Sequence, residues 1–251
     1  MKVLTEIRQR NILALLQQKK IIKIEDVIEK NQSSISTVRR DLKSLEDVGK
    51  LIRIHGGAKL PSSLLVETDF VTKEKMHQNE KNIIGKYAAS QINNNDVIFL
   101  DAGTSTSKMI PFLVNKTGLL VVTNGLSIAN LLSDYDINTY VLGGQLKMTT
   151  RALIGLEIID NIKKMQFDKC FMGVNGISQD QGFSTPDIQE AQIKTNVIKQ
   201  SSEAYVLSDS SKFNKTSFVS FAKITDATII SDNIPDWVKA SHEIKYLEVK
   251  K

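Results

Sequence analysis

One cysteine, Cys170, in 251 residues excludes an intrachain disulfide. That scarcity fits a reducing compartment, and a cytoplasmic protein is the expectation. Cys170 sits in an apolar run and reads as a small buried hydrophobe. The three histidines, His55, His77 and His242, are scattered without metal-ligand spacing, so no metal site is expected. No apolar run approaches the roughly 18 residues that cross a bilayer. The opening "MKVLTEIRQRN" lacks the apolar core and small-residue cleavage site of a signal peptide. No membrane role is expected. Phosphate-loop and dinucleotide glycine motifs are missing, because Gly143-Gly144 alone is too little, and no cofactor is expected. No internal repeat is visible.

Acidic residues are in deficit in one place only. Residues 1–60 hold 13 Lys/Arg against 7 Asp/Glu, whereas residues 61–251 hold 20 against 21. The whole net charge of +5 therefore belongs to the first quarter of the chain. That asymmetry implies a polyanionic partner for this segment, with a solvated basic surface as the alternative.

Helical spacing fills the same segment. Residues 5–18 place Ile7, Ile12, Leu15 and Leu16 on one stripe, and Ile24 to Asn31 repeats the pattern with Val27 and Ile28 inward. In "SSISTVRRDLKSLEDVGK", Ile35, Val38, Leu42 and Leu45 step by three, four and three residues, with Ser34 as the N-cap and Gly49 as the stop. Plotted at about 100° per residue, these four gather on one face, and Ser36, Arg39, Arg40 and Lys43 gather on the other. Such a helix buries one side and offers the other to a major groove, where arginine reads guanine and lysine neutralises phosphate. The "LIRIHGG" β run places Arg53 and His55 beside the flanking backbone. Three helices and a β hairpin over residues 1–58 predict an α+β winged helix-turn-helix domain. The Pro and Ser pair of "LPSSLLVET" predict a linker, taken as residues 59–74.

From residue 75 onward helix and strand signals alternate. "DVIFLDAG", "GLLVVTNG", "INTYVLGG", "DKCFMGVNGI", "AYVLSDSS" and "ATIISD" are apolar runs with little alternation, separated by helical stretches. They predict an α/β domain over residues 75–251 with a parallel sheet covered on both faces. Asp101 to Ser107, "DAGTSTS", follows a strand and precedes a helix, with Pro111 awkwardly two turns inside it. Gly103 allows a tight turn, and Thr104, Ser105 and Thr106 offer hydroxyls beside a helix N-terminus. Loops at corresponding places are Thr123-Asn124-Gly125, Gly143-Gly144, Gly173 to Gly176, and Asp209 to Lys212. Ligands of open α/β sheets bind beyond the carboxyl ends of the strands. The convergence of small polar loops there points to a small polyhydroxylated anion.

"TEIRQRNILALLQQ" together with Thr37-Val38-Arg39-Arg40-Asp41-Leu42 and His55-Gly56-Gly57-Ala58 resembles the N-terminal signature of the DeoR family of bacterial sugar-metabolism regulators. Ile35 and Ser33 depart from the acidic and apolar residues usual at their positions. "FLDAGTSTS", "VVTNG", "LGG", "FMGVNGI", "GFSTPDIQEAQIK" and "LSDSSKF" resemble, in order, the effector domain of that family. That domain is in turn similar to ribose-5-phosphate isomerase. The resemblance implies a phosphate near Gly103 to Thr106 and sugar contacts from Asp101, Thr123, Asn124 and Asn175. Glu190, Lys194, Asp209 and Lys212 are implied nearby, and Gly143 and Gly144 are counted among the effector-binding residues. "GVNGI" followed by "GFSTPD" is most similar to fructose-operon regulators, which implies fructose 1-phosphate as effector. It also implies a repressor of a sugar-catabolism operon, acting on double-stranded operator DNA as a homodimer or homotetramer.

An isomerase with an appended DNA-binding domain is the enzymatic alternative. Isomerisation needs a carboxylate base near the sugar. The related isomerases carry a carboxylate-rich loop where this chain has Gly173-Val174-Asn175-Gly176. Glu190 and Asp209 keep the chemistry open, but a sensor is the favoured reading. A DNA-binding protein whose second domain only oligomerises is a third reading, and it predicts no sugar-phosphate binding.

Overall fold

The computed structural model describes residues 5–19, 21–47, 50–59, 64 and 67–250. The chain divides into two units, residues 1–63 and 64–251. Gly49 and residues 60–63, which carry the expected helix stop and the Pro-Ser signal, lie outside the described residues.

The first unit contains α1 (Thr5–Lys19), β1 (Ile21–Lys23), α2 (Ile24–Asn31), α3 (Ile35–Asp47), β2 (Ile52–Ile54) and β3 (Gly57–Lys59). Its core is Ile12 and Leu16 of α1, Val27 of α2, and Val38, Leu42 and Leu45 of α3, closed by Ile22 and Leu51. Each such side chain contributes roughly 1.5–3 kcal/mol on burial. Ile35 departs from the expected face and is 48% exposed. It opens the helix, where no neighbouring element covers it. Ser34 caps α3 as expected, its hydroxyl accepting from the Thr37 amide at 3.3 Å. The three strands form one antiparallel sheet in the order β1-β3-β2. His55 and Gly56 make the tight turn between β2 and β3, with Gly56 at φ +74°. His55 is therefore at the hairpin tip rather than on a strand.

A buried ion pair pins α1 to α3. Arg8 Nε donates to Asp41 Oδ2 at 2.7 Å, and Nη2 donates to Oδ1 at 3.0 Å. The two side chains are 12% and 4% exposed.

The second unit runs α4 (Phe70–Lys75), α5 (Gln78–Ser90), β4 (Val97–Leu100), a 3₁₀ helix (Thr106–Phe112), β5 (Leu120–Thr123), α6 (Leu126–Asp134), β6 (Thr139–Val141), β7 (Gln145–Lys147) and β8 (Ala152–Ile154). It continues with α7 (Leu156–Ile162), β9 (Phe167–Gly173), β10 (Gly176–Ser178), β11 (Gly182–Thr185), α8 (Ile188–Lys199), β12 (Ser201–Ser208) and a short 3₁₀ turn (Ser210–Lys212). β13 (Val219–Ala222), β14 (Thr228–Ser231), α9 (Asp236–Lys239) and β15 (Tyr246–Glu248) complete it.

Seven parallel strands lie in the order β15-β14-β12-β9-β4-β5-β6. Both faces are covered. Ile98, Leu100, Val121, Phe171 and Leu207 pack with Ile84 and Ala88 of α5, Ile110, and Leu132 of α6. Phe99, Cys170, Met172 and Val206 face the other way, against Ile158 of α7 and Ile193 and Val197 of α8. Strands buried on both sides need no alternation, which is why each reads as a continuous apolar run. A β7–β8 hairpin and a small antiparallel sheet, β10-β11-β13, are added to this layer.

Two expectations change. The helix after the hydroxyl loop is 3₁₀ and contains Pro111, which lacks the N–H that an α-helix interior requires. Its neighbour α5 approaches closely at Gly85, where an added Cβ would lie 2.6 Å from the Lys108 carbonyl carbon. Residues 67–74, the last part of the stretch 59–74 expected as linker, belong to the second unit. There Asp69 caps α4 by accepting from the Thr72 amide at 2.9 Å, and the Phe70 amide donates to the Thr149 carbonyl at 2.9 Å.

Candidate functional site

Each unit presents its own candidate surface. On α3 the side chains of Ser36, Arg39, Arg40 and Lys43 are exposed, opposite the buried Val38, Leu42 and Leu45. Ser34 Oγ lies 3.0 Å from Ser36 Oγ and 2.9 Å from Thr37 Oγ1, which orients both hydroxyls at the helix start. Arg53 differs from the other cations. Its Nε donates to Glu46 Oε2 at 2.6 Å and its amide to Oε1 at 2.9 Å, so its charge is already engaged. His55 is exposed at the hairpin tip.

The second site is a small cleft open to solvent. It lies where the sheet order reverses. Chain order runs β4, β5, β6 outward on one side and β9, β12, β14, β15 on the other, so the reversal falls between β4 and β9. Ligands of open α/β sheets bind at such a reversal, beyond the carboxyl ends of the strands. Asp101 follows β4, Gly173 ends β9 and Asp209 follows β12, and all three line the cleft.

Asp101 ties the floor together. Its Oδ2 accepts from the Gly173 amide at 2.9 Å and from Lys194 Nζ. Lys194 Nζ also donates to the Gly173 carbonyl at 3.1 Å and lies 5.6 Å from the centre of the Phe221 ring. Gly103, Thr104 and Ser105 form the adjoining wall, and Val174 and Asn175 face them. Asn175 is braced by Thr185, whose hydroxyl donates to Oδ1 at 3.3 Å.

Four amines reach the cleft: Lys73, Lys81, Lys194 and Lys212. Lys81 is buried and donates to the backbone carbonyl of Lys73, not to a carboxylate. Burial pushes its ammonium down to about 8, against the opposing pull of Asp209. Asp209 is itself almost fully buried. Burial would raise its carboxyl, but Lys212 and the Ser211 hydrogen bond outweigh burial and hold it below the usual range. Its Oδ1 accepts from the Ser211 amide at 3.1 Å, whereas Oδ2 is buried without a hydrogen-bond partner among the described residues. A ligand hydroxyl directed at Oδ2 would satisfy it. Burial and the nearby Glu67 push Glu190 up.

Of the residues predicted from the loops, Asp101, Gly103, Thr104, Ser105, Asn175, Glu190, Lys194, Asp209 and Lys212 come together here. Five others do not line the cleft. The Thr106 hydroxyl is buried and lies 2.7 Å from both the Asp101 and Gly103 carbonyls, so it shapes the loop from within. The Thr123 hydroxyl donates to the Leu100 carbonyl at 2.7 Å, and Asn124 Nδ2 donates to the Leu153 carbonyl at 3.0 Å. Gly143 and Gly144 follow the edge strand β6 and are exposed. Sequence reasoning missed Glu67, Phe70, Lys73, Lys81 and Thr150, which complete the wall. No group of three metal-ligating side chains occurs among the described residues. No helix among them is long and apolar enough to cross a membrane.

A cationic recognition-type helix in one unit and a lysine-lined cleft at a sheet switch point in the other fit a DNA-binding regulator with a sensor domain. The DeoR-like helix-turn-helix domain matches residues 8–64, and the DeoR C terminal sensor domain matches residues 76–233. The chain belongs to the DeoR family of transcriptional regulators. It is 42% identical over 229 residues, 91% of both chains, to the uncharacterized HTH-type transcriptional regulator FruR of Bacillus subtilis. It is 34% identical over 97% of its length and 98% of the relative's to the lactose phosphotransferase system repressor of Streptococcus mutans. The glycerol-3-phosphate regulon repressor of Escherichia coli is 31% identical, over 91% of this chain and 90% of its own. Among solved structures, a ribose 5-phosphate isomerase A from Methanocaldococcus jannaschii matches 54% of each chain at 18% identity with a TM-score of 0.41.

Proposed function

We propose that the chain represses a sugar-catabolism operon in the cytoplasm and leaves its operator when a sugar phosphate fills the cleft. The observation that carries this reading is Lys81, a buried ammonium that lines the cleft without a carboxylate partner in the contacts above. An anion with several acceptor oxygens compensates such a group, and Lys73, Lys194 and Lys212 widen the cationic wall. Gly103, Thr104 and Ser105 supply the rest of the phosphate cradle. Asp209 Oδ2, Asn175 and Asp101 accept or orient sugar hydroxyls. The likeness to FruR favours fructose 1-phosphate as the first ligand to try.

On the DNA side, Arg39, Arg40 and Lys43 of α3 enter the major groove, with Ser36 and Thr37 at the helix start. The β2–β3 hairpin acts as the wing, bringing His55 and Arg53 to the flanking backbone. Helix-turn-helix modules read symmetric half-sites in pairs, so a homodimer or a homotetramer built from dimers is the working assembly. Fluorescence anisotropy of labelled upstream DNA at fixed salt, titrated with a panel of sugar phosphates, tests the reading. Release by one sugar phosphate, recovered unconverted, is the expected result. Tight DNA binding indifferent to every member of the panel would overturn the effector assignment.

A further inference from the structure

The second unit begins, in sequence, at Leu64, and only a few residues later the chain places an anion of its own in the cleft. Glu67, Phe70 and Lys73 all line the wall. The Glu67 side chain is 8% exposed, and its two oxygens bridge two ammonium groups: Oε1 lies 3.0 Å from Lys73 Nζ and Oε2 lies 2.7 Å from Lys147 Nζ. Lys147 is shared further, 3.0 Å from Asp187 Oδ2 and 2.9 Å from Glu190 Oε1. Glu190 Oε1 also accepts from the Thr150 hydroxyl at 2.7 Å. Burial alone would raise the Glu67 carboxyl, but Lys73 and Lys147 outweigh it and keep the group ionised.

Resting on the sugar-phosphate reading of this cleft, we propose that Glu67 is a built-in competitor for the effector. Its carboxylate serves as counter-anion to Lys73 of the cleft wall and to Lys147 beside it, and an incoming phosphate displaces it from Lys73. The displacement loosens the segment that continues into the DNA-binding domain.

Three observations lead there. First, a phosphate brings up to two negative charges and three acceptor oxygens. It therefore outcompetes a single carboxylate for Lys73 and is repelled by Glu67 if that group stays. Second, the other carboxylates of the cleft are fixed by the sheet or by α8. Asp101 and Asp209 follow strands, and Glu190 sits in the first turn of α8. Glu67 instead lies before α4, on a segment whose other ties include the Phe70 amide to the Thr149 carbonyl, at 2.9 Å, and the Phe218 amide to the Leu64 carbonyl, at 3.1 Å. Third, the Lys73 carbonyl accepts from Lys81, so a ligand that draws Lys81 also weakens a tie to this same segment. The ties that the ligand contests at Glu67 and at Lys73 both belong to residues 67–75. Any coupling to DNA carried this way is reciprocal: operator DNA shifts effector affinity by the same factor that effector shifts operator affinity.

The test uses the full chain with fructose 1-phosphate and inorganic phosphate as probes, by calorimetry, and operator affinity by anisotropy. Glu67→Gln keeps the shape and removes the charge. It is expected to bind both probes about tenfold more tightly, with its ligand-free operator affinity moved toward the liganded wild-type value. Glu67→Asp, which keeps the charge, restores most of the competition. A gain in affinity does not arise from misfolding, so a merely structural role for Glu67 does not mimic this result. If wild type binds neither probe, the sugar-phosphate reading falls. If wild type binds and Glu67→Gln binds no more tightly, the competitor inference alone falls. Hydrogen exchange on wild-type protein gives a second arm that needs no variant. Saturating ligand should speed exchange at the Thr72, Lys73 and Met76 amides, and unchanged or slower exchange there would overturn the proposal.

Discussion

Replacing Asp41 by alanine removes the acceptor that holds α1 against α3. In the native domain the Arg8 guanidinium makes two hydrogen bonds to that carboxylate, at 2.7 and 3.0 Å, and both side chains are largely shielded from water. Taking away one partner of a buried pair costs about 3–5 kcal/mol, because the remaining charge is left in low dielectric. Arg8 Nη2 keeps a 3.1 Å bond to the Thr5 hydroxyl, which argues for the lower end of that range. A unit of 63 residues has a total stability of roughly 3–9 kcal/mol at 0.05–0.15 kcal/mol per residue. The loss is therefore a third of the domain's stability at least, and all of it at worst. Far-UV circular dichroism during urea unfolding should show an early transition for residues 1–63, with the later transition unmoved. Operator binding should fall while sugar-phosphate binding persists. Arg8→Met combined with Asp41→Leu should recover most of the loss, since an apolar pair of similar size often replaces a buried ion pair at little cost. A shift below about 1 kcal/mol for Asp41→Ala would refute the reasoning, since that is the range of exposed pairs.

Arg40→Ala should weaken specific operator binding by about 1–3 kcal/mol and relax selectivity at one base position, with effector binding unchanged in calorimetry. Lys194→Met leaves the buried Asp101 carboxylate with the Gly173 amide but without its ammonium partner, and should abolish effector binding while DNA binding persists without a response to ligand. The Lys81 ammonium titrates near 8, below its ordinary 10.5, and a bound anion raises that value again. Effector affinity should therefore fall as pH rises past 8, by up to about tenfold per unit, and Lys81→Met should flatten the profile. The same depressed value means that the unfolded chain binds more protons between pH 8 and 10.5. Without ligand, the sensor domain should gain stability as pH rises through that window, as thermal melts would show. Gly85→Ala drives a methyl group toward the Lys108 backbone at 2.6 Å, and should cost about 1–3 kcal/mol in denaturant titration.

The elements that the sequence made legible are those with a strong period. α2 spans Ile24–Asn31, the stretch expected from Val27 and Ile28, and α3 announces itself through Val38, Leu42 and Leu45. The parallel sheet was legible because strands buried on both faces cannot hide their apolar character. Strands of three or four residues, such as β7, β8 and β13, are too short to set a period. The site divides in the same way. Asp101, Asn175 and Asp209 lie in loops at strand ends, where position implies role. Lys81 lies inside an ordinary amphipathic helix, and only the packing of α5 turns a solvated-looking lysine into a buried one. Glu67 and Lys73 follow Pro61 and two serines, which signal a linker, so their place in the wall had no local marker. Thr123 and Asn124 misled for the opposite reason. They end a strand in the expected register, but their side chains donate to the Leu100 and Leu153 carbonyls.

The carboxylates of the cleft also bear on whether a bound sugar is converted or only held. An aldose–ketose isomerisation needs a carboxylate base near the carbon that loses its proton. Asp101 Oδ2 already accepts from Lys194 Nζ and the Gly173 amide, so it is committed to holding the floor of the cleft. Asp209 is held below the usual carboxylate range by Lys212 and the Ser211 hydrogen bond, which makes it a weak base. Glu190 is pushed up, yet its Oε1 already accepts from both Lys147 and Thr150. Asn175, beside Gly173, accepts hydrogen bonds but cannot take a proton from carbon. These groups can grip hydroxyls in fixed directions, and each is costly to divert to proton transfer. That is the chemistry of recognition, and it accords with relatives named as regulators and repressors across nine-tenths of the chain. Glu190→Gln separates the two roles. In a sensor it shifts ligand affinity and nothing else, whereas any isomer formed by wild type and lost in the variant would show that the cleft retains chemistry.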